Sequence, residues 1–333
     1  MTSYLVTGGA GFIGSNIAEE LLRRGHTVRI LDNFSTGQRR NIKLIQADEQ
    51  SAKRLEVIEG DLRSYHIVQE AVERVDYVLH QGALPSVPRS VKDPLTSNEV
   101  NVVGTLNLLQ AARKAGVKRL VYASSSSVYG DNPTLPKVET MTPTPLSPYA
   151  ISKLAAEQYC RVFYQLYGFE TVALRYFNVF GPRQDPTSFY SAVIPKFIMA
   201  ALNDREVTIY GDGLQSRDFT FVANVVHANL LACDSPHAAG QVMNASCGER
   251  YTLLDLVAEL EKLLNKSITV RHAAPRPGDV KHSQADISRA QALLGYEPLV
   301  GFKKGLEKTV AWYRSQSHQS QKYTLGTGKY EMV

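Results

Sequence analysis

Tyr149 and Lys153, four residues apart, carry the sharpest chemistry in the chain. On a helix the two side chains share a face. The ammonium then favours the phenolate and is also placed to hold a cofactor ribose. A phenol tuned in this way removes a hydroxyl proton near neutral pH. In an arbitrary helix the same spacing more often means a half-buried aromatic beside a surface lysine. Here it lies downstream of a glycine-rich turn, Thr7-Gly8-Gly9-Ala10-Gly11-Phe12-Ile13-Gly14, which follows the apolar run Tyr4-Leu5-Val6. In such a turn Gly8 takes a backbone angle closed to other residues, Gly11 lets the chain approach a pyrophosphate and Gly14 packs the next helix on the strand. Orphan N–H groups at the helix start then face the phosphates. Asp32 ends the following apolar run, where a carboxylate accepts hydrogen bonds from an adenosine ribose, and no Arg stands at Asn33 or Phe34, which favours NAD over NADP. A third feature is the run Ser124-Ser125-Ser126-Ser127, directly after an apolar segment. A hydroxyl there shares a hydrogen bond with the reacting oxygen and relays its proton to Tyr149. Spacing alone does not say which serine points inward.

These groups need a scaffold of alternating strands and helices. Strands are expected at Ser3–Thr7, Thr27–Leu31, Leu55–Glu59, Tyr77–His80, Arg119–Ser124 and Thr171–Tyr176, with helical crossovers such as Ser15–Arg24, Ile67–Val75, Leu95–Ala115 and Tyr149–Tyr167. That rhythm predicts an α/β fold, a Rossmann-type doubly wound parallel sheet. After Gly181 the pattern breaks into shorter pieces, Val193–Leu202, Val207–Tyr210, Asp218–Val222, Leu253–Leu264, Ile268–Arg271 and Ile287–Leu294. They are expected to form a smaller C-terminal mixed α/β cap over the carboxyl edge of the sheet, where ligands bind. The implied division is 1–180 for the NAD-binding domain, 181–315 for the substrate-binding cap and 316–333, rich in Ser, Gln and Lys, for a flexible tail.

Composition excludes several classes. The chain has 333 residues, 44% of them apolar, enough for a substantial core. Its net charge of +5 comes from dispersed Lys and Arg, which argues against nucleic acid while suiting an anionic nucleotide substrate. Cys160, Cys233 and Cys247 lie far apart without metal-ligand spacing and read as reduced thiols of a cytoplasmic protein. With no charged leader and no long apolar run, neither a signal peptide nor a membrane span is expected. No His, Cys or Asp cluster suggests a metal.

From Thr2 to about Tyr313 the chain resembles the extended short-chain dehydrogenase/reductases, and among them the nucleotide-sugar 4-epimerases. The resemblance is carried by Thr7–Gly14, Asp61-Leu62, His80-Gln81-Gly82-Ala83, Ser124–Gly130, Tyr149–Lys153, Arg175–Pro182, Gly211-Asp212-Gly213 with Arg217-Asp218-Phe219, and Arg276-Pro277-Gly278-Asp279. Gly82 stands where alanine is usual, a departure expected to affect only cofactor packing. The resemblance implies that Asp61 and Leu62 flank the adenine, that Gln81, Gly82 and Ala83 line the cofactor trough, and that Tyr176 and Phe177 lie near the nicotinamide. It maps the catalytic hydroxyl to Ser125 with Ser126 beside it. It also places Asn178, Arg217 and Arg276 at the nucleotide diphosphate, a role for which paired guanidiniums suit the chemistry.

Relatives that dehydrate or decarboxylate their sugars carry acidic residues at the end of the catalytic strand, where this chain has Ser125, Ser126 and Ser127. Without them a 4-keto sugar can only be reduced again, which points to epimerisation. The segment Pro85-Ser86-Val87-Pro88-Arg89-Ser90 resembles one found in epimerases of N-acetylated UDP-hexoses. Four positions after Asp279, Ser283 occupies a place where hexose-restricted epimerases carry a tyrosine, and its small side chain leaves room for an acetamido group. The resemblance thus implies UDP-N-acetylhexosamine substrates, with UDP-hexoses second. The competing readings are a UDP-glucuronate 4-epimerase and a catalytically idle NAD sensor. By the same resemblance, Leu95–Ala115 and Tyr149–Tyr167 pair across a homodimer.

Overall fold

The structure is a computed structural model that describes residues 1–186, 192–275 and 280–326, with side chains as far as Gln316. Its strands are β1 (Ser3–Thr7), β2 (Thr27–Asp32), β3 (Leu55–Glu59), β4 (Tyr77–His80), β5 (Arg119–Ser125), β6 (Glu170–Tyr176), β7 (Val179–Phe180), β8 (Val207–Tyr210), β9 (Ser216–Arg217), β10 (Thr220–Phe221), β11 (Val242–Ala245), β12 (Tyr251–Thr252) and β13 (Val270–Ala273). Seven of them form the central sheet in the order β11-β6-β5-β4-β1-β2-β3. All its pairings are parallel. The strand order reverses between β1 and β4, so the crossovers that follow these two strands run to opposite faces of the sheet and leave a crevice at its carboxyl edge.

The helices are α1 (Phe12–Arg23), α2 (Arg39–Gln46), α3 (Glu49–Ala52), α4 (Tyr65–Ala71), α5 (Val87–Lys92), α6 (Pro94–Asn98), α7 (Gly104–Lys114), α8 (Pro148–Tyr167), α9 (Val193–Leu202), α10 (Val222–Asp234), α11 (Leu253–Leu264), α12 (Ser288–Leu294) and α13 (Phe302–Gly326). Ile17 and Leu21 of α1 and Val225 of α10 bury one face of the sheet against Ile30 and Leu174. Val68, Leu108 and Phe163 of α4, α7 and α8 bury the other against Leu5 and Leu120. The sheet is therefore covered on both sides, as an all-parallel sheet requires. A separate apolar cluster built on Phe197, Ile209, Leu256, Leu260, Phe302 and Leu306 holds the cap together. No helix among the described residues is long and apolar enough to cross a membrane.

Two places differ from the sequence reading. The sheet's last strand, β11, comes from beyond residue 180, and α10, which covers the sheet, lies outside the expected elements. The expected piece Asp218–Val222 holds the short β10 running straight into α10, and the one at Ile268–Arg271 overlaps a strand at Val270–Ala273. The expected helix Leu95–Ala115 is present as α6 and α7 joined without a gap by a π-helical turn, Glu99–Val103. Residues 316–326 continue α13, and 327–333 lie outside the described residues.

Candidate active site

Gly8, Gly11, Phe12, Ile13, Gly14, Asp32, Asn33, Asp61, Leu62, Gln81, Gly82, Ala83, Tyr149, Lys153 and Tyr176 all line one cleft of about 720 Å³. Two glycine contacts explain how its floor forms. Gly8 has φ +65°, and a Cβ there would stand 2.8 Å from the Gly82 backbone, so the turns after β1 and β4 meet main chain to main chain. A Cβ on Gly14 would sit 2.3 Å from the Gly8 carbonyl oxygen, which fixes α1 against the turn. Gly11 caps α1 without a side chain, leaving the first-turn N–H groups without an intrahelical partner. A cradle that any side chain would fill, opening on a helix N-terminus, fits a dinucleotide pyrophosphate.

Asp32 is buried at the end of β2 and accepts hydrogen bonds from the backbone of Ala10 at 2.9 Å and Phe34 at 2.8 Å. Burial raises its pKa, against those two bonds. It is thus both strap and acceptor, since each carboxylate oxygen keeps a lone pair for a ribose hydroxyl. Asp61 receives a fork from Arg63 and a 2.8 Å bond from Asn33, and Arg63 first among them holds its carboxyl down at about 2. A Cβ on Gly82 would lie 2.9 Å from Leu62 Cδ1, the end of a side chain that can shift.

At the other end, strand alternation sorts the serines. Ser124 donates its hydroxyl to the buried Glu157 at 2.6 Å. Ser125 is the neighbour that opposes the rise of the Tyr149 pKa. Ser125 Oγ also accepts from Ser127 N at 3.2 Å and Ser127 Oγ at 2.9 Å, while Ser126 opens the 3₁₀ turn that follows. The expected effect of Lys153 on the phenol needs correction. Its Nζ donates to the Ala123 carbonyl at 2.9 Å and lies 5.1 Å from the Tyr122 ring centroid. Burial raises the Tyr149 pKa, and the group that opposes it is Ser125. Burial also lowers Lys153 to about 8.

Asn101 and Asn229 are positioning groups that carry no sequence signal, and they act beside motif residues. Asn101, in the π turn, accepts from Leu84 N at 2.7 Å and donates to Ser152 Oγ at 3.0 Å, tying the cleft wall to the Tyr149 helix. Asn229 donates to the Tyr176 hydroxyl at 2.8 Å, and that hydroxyl donates to Gln81 at 3.2 Å. His80 bridges Thr7 Oγ1 at 2.7 Å and Thr105 Oγ1 at 2.9 Å, and burial drives its pKa down to about 3, so it is neutral and serves as a strut.

The expected substrate residues are spread more widely. Ser86 lines the cleft and caps α5, accepting from Arg89 N at 3.3 Å. Asn178 is exposed, with φ +33°. Arg217 and Ser283 share one strip of the cap, where Ser283 N donates to Ser216 O at 3.0 Å and Arg217 Nη1 donates to Ser216 O at 3.0 Å and Lys281 O at 3.2 Å. Asp218, fully buried beneath that strip, collects the N–H groups of Cys247, Gly248 and Ala285 at 3.1–3.2 Å, and burial raises its carboxyl to about 6. Phe177, expected near the nicotinamide, packs instead in the core with Val128, Tyr129 and Ala285. Arg276 and Asp279 lie outside the described residues.

Comparison with known proteins accords with this geometry. The profile of the NAD dependent epimerase/dehydratase family matches residues 4–246. A putative UDP-glucose 4-epimerase of Methanocaldococcus jannaschii is 36% identical over 319 residues, covering 94% of this chain and 99% of its own. The structure of the UDP-N-acetylglucosamine 4-epimerase from Methanobrevibacter ruminantium M1, in complex with UDP-N-acetylmuramic acid, superimposes with a TM-score of 0.89 at 41% identity, over 95% of this chain and 99% of that one. The UDP-glucuronic acid 4-epimerase from Bacillus cereus, in complex with UDP-glucuronic acid and NAD, gives a TM-score of 0.87 at 33% identity, over 95% and 100% of the two chains.

Proposed function

Since the chain belongs to the NAD dependent epimerase/dehydratase family, we propose that it is an NAD-dependent 4-epimerase that interconverts UDP-N-acetylglucosamine and UDP-N-acetylgalactosamine, with UDP-glucose and UDP-galactose as a weaker second pair. The observation that carries this is that Tyr149 and Lys153 line the same cleft as the glycine turn and Asp32, with Ser125 at the end of β5 opposing the rise of the Tyr149 pKa. Tyr149 takes the proton of the sugar 4-hydroxyl, and Ser125 hydrogen-bonds the reacting oxygen as its charge changes. Lys153, held to the Ala123 carbonyl, places its ammonium beside the same centre. The chemistry that a bound NAD would supply in this cleft is reversible hydride exchange at the sugar C4, with no net redox change. For hydride to return to the opposite face, the 4-keto sugar must turn over on its diphosphate, which Arg217 on the cap strip supports.

The carboxylates that line the cleft are Asp32, Asp61 and Asp185, and the first two are committed to the adenosine end. With serines at the end of β5, elimination and decarboxylation lack an acid or base, and re-reduction remains. The glucuronate reading stays the runner-up: a C6 carboxylate calls for a cation, and Arg89 beside Ser86 lines the same cleft as Arg183. Arg183, in the same cleft, is bonded to Glu19 at 2.5 Å and to Ser15 O at 3.2 Å, and Asp185 adds a negative charge. A homodimer is part of the proposal. Leu95 on α6 and Ile151, Val162 and Leu166 on α8 are exposed apolar residues that a partner would cover.

The test is conversion by purified protein carrying NAD, followed by NMR of the sugar anomeric protons. UDP-N-acetylglucosamine should give an equilibrium mixture with its C4 epimer faster than UDP-glucose does. Preferential turnover of UDP-glucuronate would move the assignment to the runner-up. No turnover of any UDP-sugar, with NAD retained, would leave the sensor reading standing.

A further inference from the structure

Glu157 is a buried carboxylate outside the proposed proton transfer. It lies on α8 one turn beyond Lys153 and two beyond Tyr149, so the three side chains follow one another along the helix. Arg175 on β6 forks it at 3.0 and 2.6 Å, and the side chains of Arg175 and Glu157 are only 4% and 1% exposed. The guanidinium is itself held: its carbon lies 4.7 Å from the Tyr129 ring centroid, and the Tyr129 hydroxyl donates to Asn244 at 2.7 Å. A buried ion pair is a poor source of stability, since desolvation of both charges offsets their attraction. What this pair holds is more telling. The Ser124 hydroxyl donates to Glu157 Oε2, the same oxygen that takes the Arg175 Nε–H, and Ser124 immediately precedes Ser125.

The helix α8 thus grips two successive residues of β5. Lys153 donates to the Ala123 carbonyl at 2.9 Å, and Glu157 accepts from the Ser124 hydroxyl at 2.6 Å. On the other side of β5, Ser124 pairs in register with Arg175, so the carboxylate ties α8, β5 and β6 together at one point. The strand that ends in Ser125 and the helix that carries Tyr149 are therefore fixed to each other at both positions before the serine.

We propose that Ser124 and Glu157 are a pair of positioning residues, which act through Ser125 by setting its hydroxyl against the Tyr149 phenol. The proposal rests on the reading of Tyr149 as the base of the epimerase. Reacting groups displaced by about 1 Å lose up to about 10²-fold in rate, so a tie at this place bears directly on turnover.

The test uses NAD-loaded protein carrying Ser124→Ala, which leaves the Glu157–Arg175 pair whole, or Ser124→Thr, which keeps the donor. Glu157 is left in place, because its removal strands Arg175 as a buried unpaired cation. The first measurement needs no sugar: the Tyr149 phenol is titrated by ultraviolet absorbance, as the step that Tyr149→Phe lacks. In Ser124→Ala its midpoint should rise by about half a pH unit or more, the effect of one misaligned hydrogen bond, and Ser124→Thr should restore it. The second is turnover of UDP-N-acetylglucosamine, in which Ser124→Ala should lower kcat about tenfold and leave KM within about twofold of the parent value. Thermal unfolding and NAD retention like those of the parent show that each variant is folded. An unmoved phenol midpoint in Ser124→Ala, an unchanged kcat where the parent is active, or a threonine variant no better than the alanine one overturns the proposal. A parent protein that turns over no UDP-sugar counts against the epimerase reading alone, and the phenol titration still decides the positioning.

Discussion

At the scale of single residues, the proposed base, Tyr149, lies between burial, which raises its pKa, and Ser125, which opposes the rise. Tyr149→Phe removes the base while keeping the ring. It should retain fold and bound NAD and lose about 10²-fold or more in turnover; a two- or three-fold loss in the NMR assay would show that another group takes the proton. Lys153 gives a prediction whose sign depends on pH. An unfolded lysine titrates near its ordinary 10.5, whereas burial brings Lys153 to about 8. Below 8 both states carry the proton and the folded one bears a buried charge. Between 8 and 10.5 the unfolded chain binds more protons, so stability rises with pH there. Lys153→Met should therefore stabilise the NAD-free protein by about 1–3 kcal/mol at neutral pH, the gain shrinking through that window, while turnover and NAD retention fall. Denaturant unfolding at several pH values checks it, and a pH-independent difference would rule out the buried charge as the cause. The glycine turn, Asp32 and the Tyr149–Lys153 pair were legible in the sequence because each is a local pattern. The partner of the Lys153 ammonium was not, because the Ala123 carbonyl that receives it belongs to a strand thirty positions away.

At the scale of elements, the π turn and the Asp218 clamp do work that no short motif announces. The extra residue in the turn Glu99–Val103 aims Asn101 at Leu84 and Ser152, so the cleft wall and the catalytic helix share one amide. Asn101→Ala should leave the Leu84 N–H unsatisfied, cost about 1–3 kcal/mol in stability and lower kcat more than KM. Equal unfolding midpoints and unchanged kinetics would show that the amide is dispensable. Asp218 draws together the chain at 246–248 and at 285, which frames the strip carrying Arg217 and Ser283. Asp218→Ala should raise KM for the UDP-sugar several-fold with NAD retention intact, whereas parallel losses of both would indicate general unfolding. The sequence marked Asp218 only as a neighbour of Arg217, because its partners lie near positions 247 and 285 and meet it only in the folded chain.

For the whole molecule, six of the seven sheet strands were readable as apolar runs with boundaries within one residue. β11, Val-Met-Asn-Ala, is too short and too mixed to stand out, and only its pairing with β6 makes it a strand. Substrate preference is likewise a property of the assembled cap. If Ser283 leaves room for the acetamido group, Ser283→Tyr should lower kcat/KM for UDP-N-acetylglucosamine about ten- to a hundred-fold relative to UDP-glucose, and Ser283→Ala should change little. Equal losses on both sugars would assign the residue to packing. The late arrival of β11 also bears on how the protein is made. During synthesis β6 is complete while residues 177–241 are still to come, so the nascent sheet carries an open apolar edge for the whole of that interval. A fragment ending near residue 180 would keep that edge permanently, and should aggregate where the full chain stays in solution.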